Sequence, residues 1–566
     1  MDEKYIIRSN GKEYCASEYQ IKIFKEVEYG TGNLLVIAAA GSAKTATIEN
    51  CQRYIKKGKK ILFVAFNTST IEKIKRDIGD DCDTTILTFH SLGLHILKEK
   101  EIVPKKAKID DKKYSAYIKE KALALCNNGI IPTDLYYTYV NNCTTLTDLS
   151  RAYLAMREKE MLSVCKKYGI NLVANEIEVV REALIWGKEN TDVIDHTDMI
   201  WLPNVLNLTT RNYLFDFIFI DEAQDSTLAR IGLVEKCFGR SCRFIAVGDP
   251  KQQINVWCGA TQEALEKYAS KPNTQIVSLP ISYRCPKKII EKAKPYSPDI
   301  TAADNAIEGV IRNDVSEYAP TENDLVLCRV NSPIIDLSLK YLRVNKKFFI
   351  IGGGSVKEKL ISLIESSNQK YIDLKQETEG GLINYLYAIF EKRKAQIMQE
   401  QNISDDDVFS EPELLDLFDM IESIKAASEG IDTVEELINK INLIFDGEDR
   451  DGAVILSTAH KAKGLEADNV FILKPSLMPS PFVRLDWERE MEQHLYYVSI
   501  TRARNTLNFI KEEKNGFFVN FKSKKRKEKE VRDTIHTFET PKQETNIIET
   551  AKKPSKKAGL KFKNLS

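Results

Sequence analysis

Phe215-Asp216-Phe217-Ile218-Phe219-Ile220-Asp221-Glu222-Ala223-Gln224-Asp225 is the stretch from which the rest of the chain is read. A largely apolar run that stops on two adjacent carboxylates describes a buried strand with acids at its C-terminal edge, where an α/β sheet binds its ligands. Carboxylates placed there are costly to desolvate unless a cation or hydrogen bonds compensate them. A helical first turn that merely prefers acids accounts for one of the pair, not for both.

Working outward, Leu34 to Ala39 is a second apolar run, followed by Ala38-Ala39-Ala40-Gly41-Ser42-Ala43-Lys44-Thr45 at the opening of a helix that is expected to run to about Gly58. In a phosphate-binding loop, backbone N–H groups and the helix N-terminus hold phosphates, a lysine reaches the terminal phosphates, and a Ser or Thr hydroxyl binds Mg²⁺. Ala40, Gly41, Ser42 and Ala43 would form the cradle, with Lys44 and Thr45 in the two side-chain roles. The strict pattern fails at both outer glycines, which are Ala38 and Ala43, and an ordinary small-residue turn is the alternative for the loop alone. Ala43 fits provided its φ stays negative. With the loop in place, Asp221 suits the Mg²⁺ that bridges phosphates and Glu222 suits the polarisation of attacking water.

Short β-branched runs recur with helical patterns between them, the mark of parallel α/β units. The first set is Leu34–Ala39, Ile61–Phe66, Thr85–Thr88, Phe215–Ile220, Phe244–Val247 and Gln275–Leu279. A second set is Leu325–Cys328, Phe348–Ile351, Val454–Ser457, Val470–Leu473 and Leu507–Ile510. The fold class is therefore α/β, two domains in tandem, and two helical stretches with few strand signals read as one insertion in each.

At 566 residues the chain is long enough for three or four domains of about 150 residues. Hydrophobic residues at 43% and charged ones at 29% are ordinary for a globular protein, and no apolar stretch approaches the ~20 residues a bilayer needs. Met1 to Asn10 holds Asp2, Glu3, Lys4 and Arg8 with no apolar region behind them, so a cytoplasmic location is expected. Eleven cysteines without a C-x-x-C pair argue against a zinc site or a disulfide framework. Lys+Arg and Asp+Glu are both 82, yet from Phe521 to Ser566 bases outnumber acids 14 to 6. A basic, disordered tail on a mildly acidic body is expected.

The loop, the Asp221-Glu222-Ala223-Gln224-Asp225 box, Gly248-Asp249-Pro250-Lys251-Gln252, Ser282-Tyr283-Arg284, Thr458 to Glu466 and Tyr497 to Arg504 together resemble the ordered motifs of UvrD/Rep-type superfamily 1 DNA helicases. The resemblance covers residues 17 to about 510. It implies two RecA-like P-loop motor domains with parallel sheets, ATP and Mg²⁺ in the cleft between them, single-stranded DNA across their top, and 3′ to 5′ translocation with duplex unwinding. The expected divisions are 1–95 and 211–279 for the first motor domain, 96–210 for its helical insertion, 280–355 and 445–515 for the second, 356–444 for its insertion, and 516–566 for the tail.

The same resemblance assigns roles. Gln20 would read adenine, Tyr283 would stack on the base, and Arg284 would meet the γ-phosphate. Gln252 would sense that phosphate, and Glu466, beside Gly464, would contact the ribose. Arg502 would be an arginine finger, worth on the order of 10³ to 10⁵ in rate. On the DNA track it points to Phe66, Asn67, Thr88, Phe89, His90, Trp257 and His460. Aromatic faces there would stack on bases at ~1 to 3 kcal/mol each. Phe89, at the end of an apolar strand, reads equally as core, and His90 as a satisfied polar residue at a strand end.

Departures from the pattern matter. The third motif usually continues with an aromatic and then Trp-Arg-Gly, whereas this chain has Asn255-Val256-Trp257-Cys258-Gly259, so one ring and one cation are missing. Ala46 stands where an arginine is common, and the second insertion, about 90 residues, is short for the family. The expected partners are single-stranded DNA and single/double-strand junctions, with a protein partner reachable through the tail, no membrane, and a monomer in isolation. The alternatives are an ATP-gated DNA-binding subunit of a repair or defence complex, and a 5′ to 3′ or RNA-directed superfamily 1 motor.

Overall fold

Six apolar runs of the first half pair into one parallel sheet: β1 (Asn33–Ala38), β2 (Ile61–Ala65), β3 (Thr84–Thr88), β4 (Phe215–Ile220), β5 (Phe238–Gly248) and β6 (Thr274–Leu279). In the computed structural model their order is β6-β1-β5-β4-β2-β3. Every neighbour is parallel, with Leu34 opposite Ile245 and Ile61 opposite Phe217. The structure describes residues 4–512 apart from 10, 67, 79–83, 261–262, 375–380, 402–403, 405–407, 409–410, 447–449 and 484. The basic tail from residue 516, and Asn67, lie outside the described residues.

A second parallel sheet is built from β7 (Val310–Val315), β8 (Leu325–Cys328), β9 (Phe348–Ile350), β10 (Val454–Thr458), β11 (Ala467–Ile472) and β12 (Ala503–Ile510), in the order β7-β12-β11-β8-β10-β9. The sequence reading contained five of these strands. It missed β7, whose Val-Ile-Arg-Asn-Asp-Val carries mostly exposed side chains at the sheet edge and therefore has no apolar signal.

Helices cover both sheets. α1 (Glu18–Tyr29) starts on a capping box between Ser17 and Gln20, and buries Ile23, Phe24 and Val27. α2 (Lys44–Cys51) follows the loop after β1; it ends at Cys51 and gives way to a 3₁₀ turn over Gln52–Tyr54, short of the expected Gly58. α3 (Phe89–Glu99) is capped by Thr88, whose hydroxyl accepts the Ser91 N–H at 3.1 Å.

Between α3 and β4 the chain is mainly helical: α4 (Lys113–Asn127), α5 (Tyr136–Tyr153), α6 (Glu158–Tyr168), α7 (Glu176–Glu189) and α8 (His196–Val205). These helices pack on Trp201, Tyr139 and Leu184. Within them Arg151 is paired to Asp195 at 2.6 Å, and Lys113 to Asp198 at 2.8 Å. The second helical stretch holds α9 (Gly353–Leu374), α10 (Gly381–Gln401), α11 (Pro412–Ser428) and α12 (Val434–Phe445). Arg393 on α10, clamped by Glu413 at 2.6 Å, also donates to Thr138 Oγ1 on α5 at 2.9 Å, so the two helical stretches touch. Last comes α13 (Asp486–Ile500), leading into β12. No helix among the described residues is long and apolar enough to cross a membrane.

Candidate functional site

Parallel β-strands release their loops at one edge, and β1, β4 and β5 are neighbours, so the loop after β1, the acids after β4 and the turn after β5 converge. Gly41 has φ +72°, and a Cβ there would lie 2.7 Å from both Arg284 Cβ and Ser282 Oγ. Glycine is thus required by backbone conformation and by space. Ala43 has φ +59°, contrary to the negative φ that the sequence reading required. The turn into α2 uses the left-handed conformation that a glycine would adopt freely, and the alanine bears the strain.

Lys44 Nζ stands 3.4 Å from Glu222 Oε1 without a hydrogen bond to protein, and Ser42 Oγ is likewise buried and unpartnered. Thr45 Oγ1 donates to Asp221 Oδ2 at 2.7 Å. That hydroxyl and carboxylate form a compact pair of hard oxygen ligands. No group of three or more His, Cys, Asp or Glu among the described residues could hold a metal unaided. Such a site fits Mg²⁺, which takes one or two protein oxygens and draws its remaining ligands from phosphates and water.

Burial alone would raise the Glu222 carboxyl, but the Lys44 and Lys463 ammoniums outweigh it and hold it down at about 2. Burial and the neighbouring Glu222 charge push Asp221 up instead. The backbone of Glu222 is left-handed, φ +50°. Gln252 Nε2 donates to Asp249 Oδ2 at 2.6 Å, and Gln252 O accepts from Lys463 Nζ at 2.9 Å. Gln20 is buried and pinned: Ser17 N–H donates to its Oε1 at 3.0 Å, and its Nε2 donates to Thr47 Oγ1 at 3.1 Å.

The other wall comes from the second sheet and its approach. Tyr283 N–H donates to Gly41 O at 2.9 Å, and its ring is half exposed. Arg284 Nε pairs with Glu466 Oε2 at 2.6 Å, so the two residues assigned to γ-phosphate and ribose meet each other here. Gly464, two residues before Glu466, has φ +87°. Arg502 is buried, with Nε donating to Val498 O at 2.8 Å and Nη1 to Leu465 O at 3.2 Å. Burial, with the Arg284 charge, pushes its guanidinium down to about 10.

Two residues escaped the sequence reading. Lys463 pairs with Asp225 and lies 3.9 Å from Glu222 Oε2, bringing a cation from the second domain into the carboxylate box. Its only signal was a place inside the stretch Thr458 to Glu466. Tyr497, buried on α13, accepts the Ala40 N–H on its hydroxyl at 3.1 Å. Nothing local in the sequence marks a contact between residues 40 and 497.

Of the nucleic-acid candidates, Trp257 and His460 line one cleft of about 1180 Å³ between the helical stretches and the second sheet. Trp257 is 59% exposed. His460 is pushed down to about 3 by burial and by the Arg329 charge, and so stays neutral. Phe66, Thr88 and His90 do not line this cleft. Phe66 packs edge-on against Phe89 at 5.2 Å under the Arg230 guanidinium. Thr88 is spent on its cap. His90 faces the His196 ring at 5.7 Å, and is pushed down to about 4 by burial. Phe89 is corrected to core: it is 1% exposed and packs with Leu62, Val64 and Ile220, because the apolar strand β3 directs the first residue of α3 inward.

Residues 20–273 match the family model described as the UvrD/REP helicase N-terminal domain. The ATP-dependent DNA helicase Rep of Escherichia coli (strain K12) is 27% identical over 293 residues, 47% of this chain and 41% of that protein. The ATP-dependent DNA helicase PcrA of Leuconostoc citreum is 22% identical over 611 residues, 85% of this chain and 80% of that protein. F-box DNA helicase 1 of Gallus gallus is 23% identical, covering 83% of this chain and 46% of that protein. The match to Rep thus spans about two fifths of Rep's length.

Proposed function

We propose that this UvrD/Rep-type superfamily 1 chain works as an ATP-driven DNA helicase, translocating 3′ to 5′ on single strands and opening duplex at junctions. The observation that carries the reading is the division of one polar site between two sheets. Lys44, Thr45, Asp221 and Glu222 come from the first domain, and Arg284, Lys463, Glu466 and Arg502 from the second. A site assembled from two bodies changes its charge balance whenever those bodies shift, which is what coupling nucleotide state to movement requires.

In this reading Thr45 and Asp221 hold Mg²⁺, which when bound with ATP neutralises phosphate charge. The cradle amides of Ala40 to Ala43 and the Lys44 ammonium hold the phosphates in place. Glu222, kept ionised by Lys44 and Lys463, orients the attacking water and accepts its proton. Arg284 and Arg502 stabilise charge as it develops, Arg284 leaving Glu466 to do so. Gln20 orients the base and Tyr283 stacks on it. Gln252, bonded to Lys463 through its carbonyl, ties that chemistry to the turn bearing Trp257. Trp257 and His460 then contact the strand in the adjoining cleft, with His460 as a neutral donor or acceptor. The protein acts inside the cell as a monomer on DNA, with the basic tail offering a further contact for DNA or a protein partner.

The deciding experiment is ATP hydrolysis without nucleic acid, with single-stranded DNA and with single-stranded RNA, against a Lys44→Ala control. Stimulation by DNA, followed by unwinding of 3′-overhang duplexes alone, is the expected outcome. The ring and cation missing from the stretch Asn255–Gly259 favour one other reading, an ATP-gated DNA-binding subunit, and absence of stimulation would select it.

A further inference from the structure

The cleft that holds Trp257 contains two more large rings that the mechanism above does not use. Tyr168, the last residue of α6, and Trp487, the second residue of α13, both line it, and their ring centroids lie 5.5 Å apart at 56°. The Tyr168 hydroxyl donates to Val256 O at 2.8 Å and sits 3.0 Å from the Tyr153 hydroxyl. Tyr168 is therefore fastened to the very turn, Asn255–Gly259, that lacks one of the expected rings. Trp487 Nε1 is buried without a hydrogen-bond partner. An indole N–H is a donor with no acceptor capacity, and leaving it unmet is unfavourable unless something else supplies the acceptor. Neither ring is in a closed core: both are only partly buried, and the cleft around them carries both signs of charge, Arg329, Lys359, Arg393 and Lys461 against Glu411, Glu413, Asp416, Asp419 and Glu488, so the aromatic faces and not net charge mark it.

We propose that Trp487 and Tyr168 form a nucleobase-stacking step in this cleft, which supplies from two other domains the ring that the turn Asn255–Gly259 does not carry. The inference rests on the reading of the cleft as a single-strand track. A nucleobase supplies a flat π-face for the partly exposed rings, which an aliphatic ligand would not. Tyr168 belongs to the helices inserted in the first domain and Trp487 to the second, so the step is complete only when the two domains stand as they do here. Grip on one base would accordingly be made and released as the domains move, while Trp257, carried by the first domain alone, keeps its hold.

The test is a cycle on the full-length chain. Affinity for oligothymidylate is measured by fluorescence anisotropy for wild type, Trp487→Ala and Trp487→Phe, each against the intact strand and against strands carrying one abasic site at successive positions. Stacking predicts that Trp487→Ala weakens binding of the intact strand on the order of tenfold. Trp487→Phe should retain most of the affinity. One abasic position should cost wild type and Trp487→Phe a similar factor, while costing Trp487→Ala little. An abasic penalty that is the same at every position in wild type and Trp487→Ala would overturn the inference even if Trp487→Ala binds weakly, because a merely structural tryptophan predicts that pattern. If wild type does not bind the strand at all, the single-strand reading of the cleft falls as well, and the two failures are thereby told apart.

Discussion

Ala40 and Tyr497 lie in different domains, yet the Ala40 backbone N–H donates to the Tyr497 hydroxyl at 3.1 Å, and that hydroxyl in turn points to Asp249 Oδ2 at 3.5 Å. One of the amides expected to hold a phosphate is therefore already engaged, and its acceptor is carried by α13. On the proposed reading, a nucleotide phosphate would have to displace Tyr497 from that N–H.

Removing that competitor should tighten nucleotide binding. Tyr497→Phe keeps the ring in its buried place and deletes the acceptor. A hydrogen bond of this kind has a net worth of about 0.5 to 1.5 kcal/mol, so the nucleotide Kd should fall by about two- to tenfold. Titration with a fluorescent ATP analogue reads this directly, and a weaker affinity in Tyr497→Phe would mean that the hydroxyl helps to hold the loop open instead.

Lys44→Ala should abolish hydrolysis by removing the phosphate cation. Glu222→Gln should bind ATP but lose turnover by about 10² to 10⁴, since an amide does not take up the proton. Because the two ammoniums hold Glu222 down at about 2, it stays ionised from pH 5 to 9, and an acid limb of the rate profile in that range should not belong to it. Steady-state rates from pH 5 to 9 check this; near-normal turnover in Glu222→Gln would refute the assignment.

Ala43 at φ +59° bears a left-handed backbone that costs an L-residue roughly 1 to 2 kcal/mol relative to glycine. Ala43→Gly should raise the melting temperature and preserve hydrolysis. Gly41→Ala should do the reverse, since its Cβ would sit 2.7 Å from Arg284 Cβ. Thermal denaturation of the two variants side by side tests the pair, and a lower melting point for Ala43→Gly would show that the relief of strain is smaller than the entropy that glycine adds to the unfolded chain.

Glu49, on α2 behind the loop, is 3% exposed and neither of its carboxylate oxygens has a hydrogen-bond partner. Burial pushes its carboxyl up to about 8, from an ordinary 4.5. Between those values the folded state binds a proton that the unfolded chain releases, so this contribution is complete below 4.5 and is lost as pH rises through 8. Glu49→Gln does not titrate. Its melting point should therefore gain on wild type by several degrees between pH 5.5 and 8.5, and a gap that narrows with pH would contradict the sign.

Phe89, buried among Leu62, Val64 and Ile220, should matter for stability and not for strand affinity. Phe89→Ala should destabilise by about 3 to 5 kcal/mol, as emptied aromatic sites do. A folded Phe89→Ala protein with normal stability and weakened DNA binding would return the residue to the track.

What was legible in the chain followed from how local the signal was. β4 was read to the residue, because its apolar run stops on the acids Asp221 and Glu222, whereas β5 begins six residues before Phe244, where Phe238 to Arg243 gain their strand geometry from pairing. The cradle and the carboxylates were legible because their chemistry is packed into a few neighbouring residues. The Ala40–Tyr497 and Gln252–Lys463 bonds were not, since they join residues hundreds of positions apart and depend on how two sheets meet. The negative φ on which the fit of Ala43 was conditioned is not the one adopted, because the left-handed turn into α2 is set by how the loop closes and not by the residue type that stands there.

The bond from Tyr283 N–H to Gly41 O sits just past the end of β6, where the chain leaves the first sheet for the second. It ties the segment that crosses between the sheets directly to the loop after β1, so on the proposed reading a change in that loop on filling would be felt first where the chain passes from one sheet to the other.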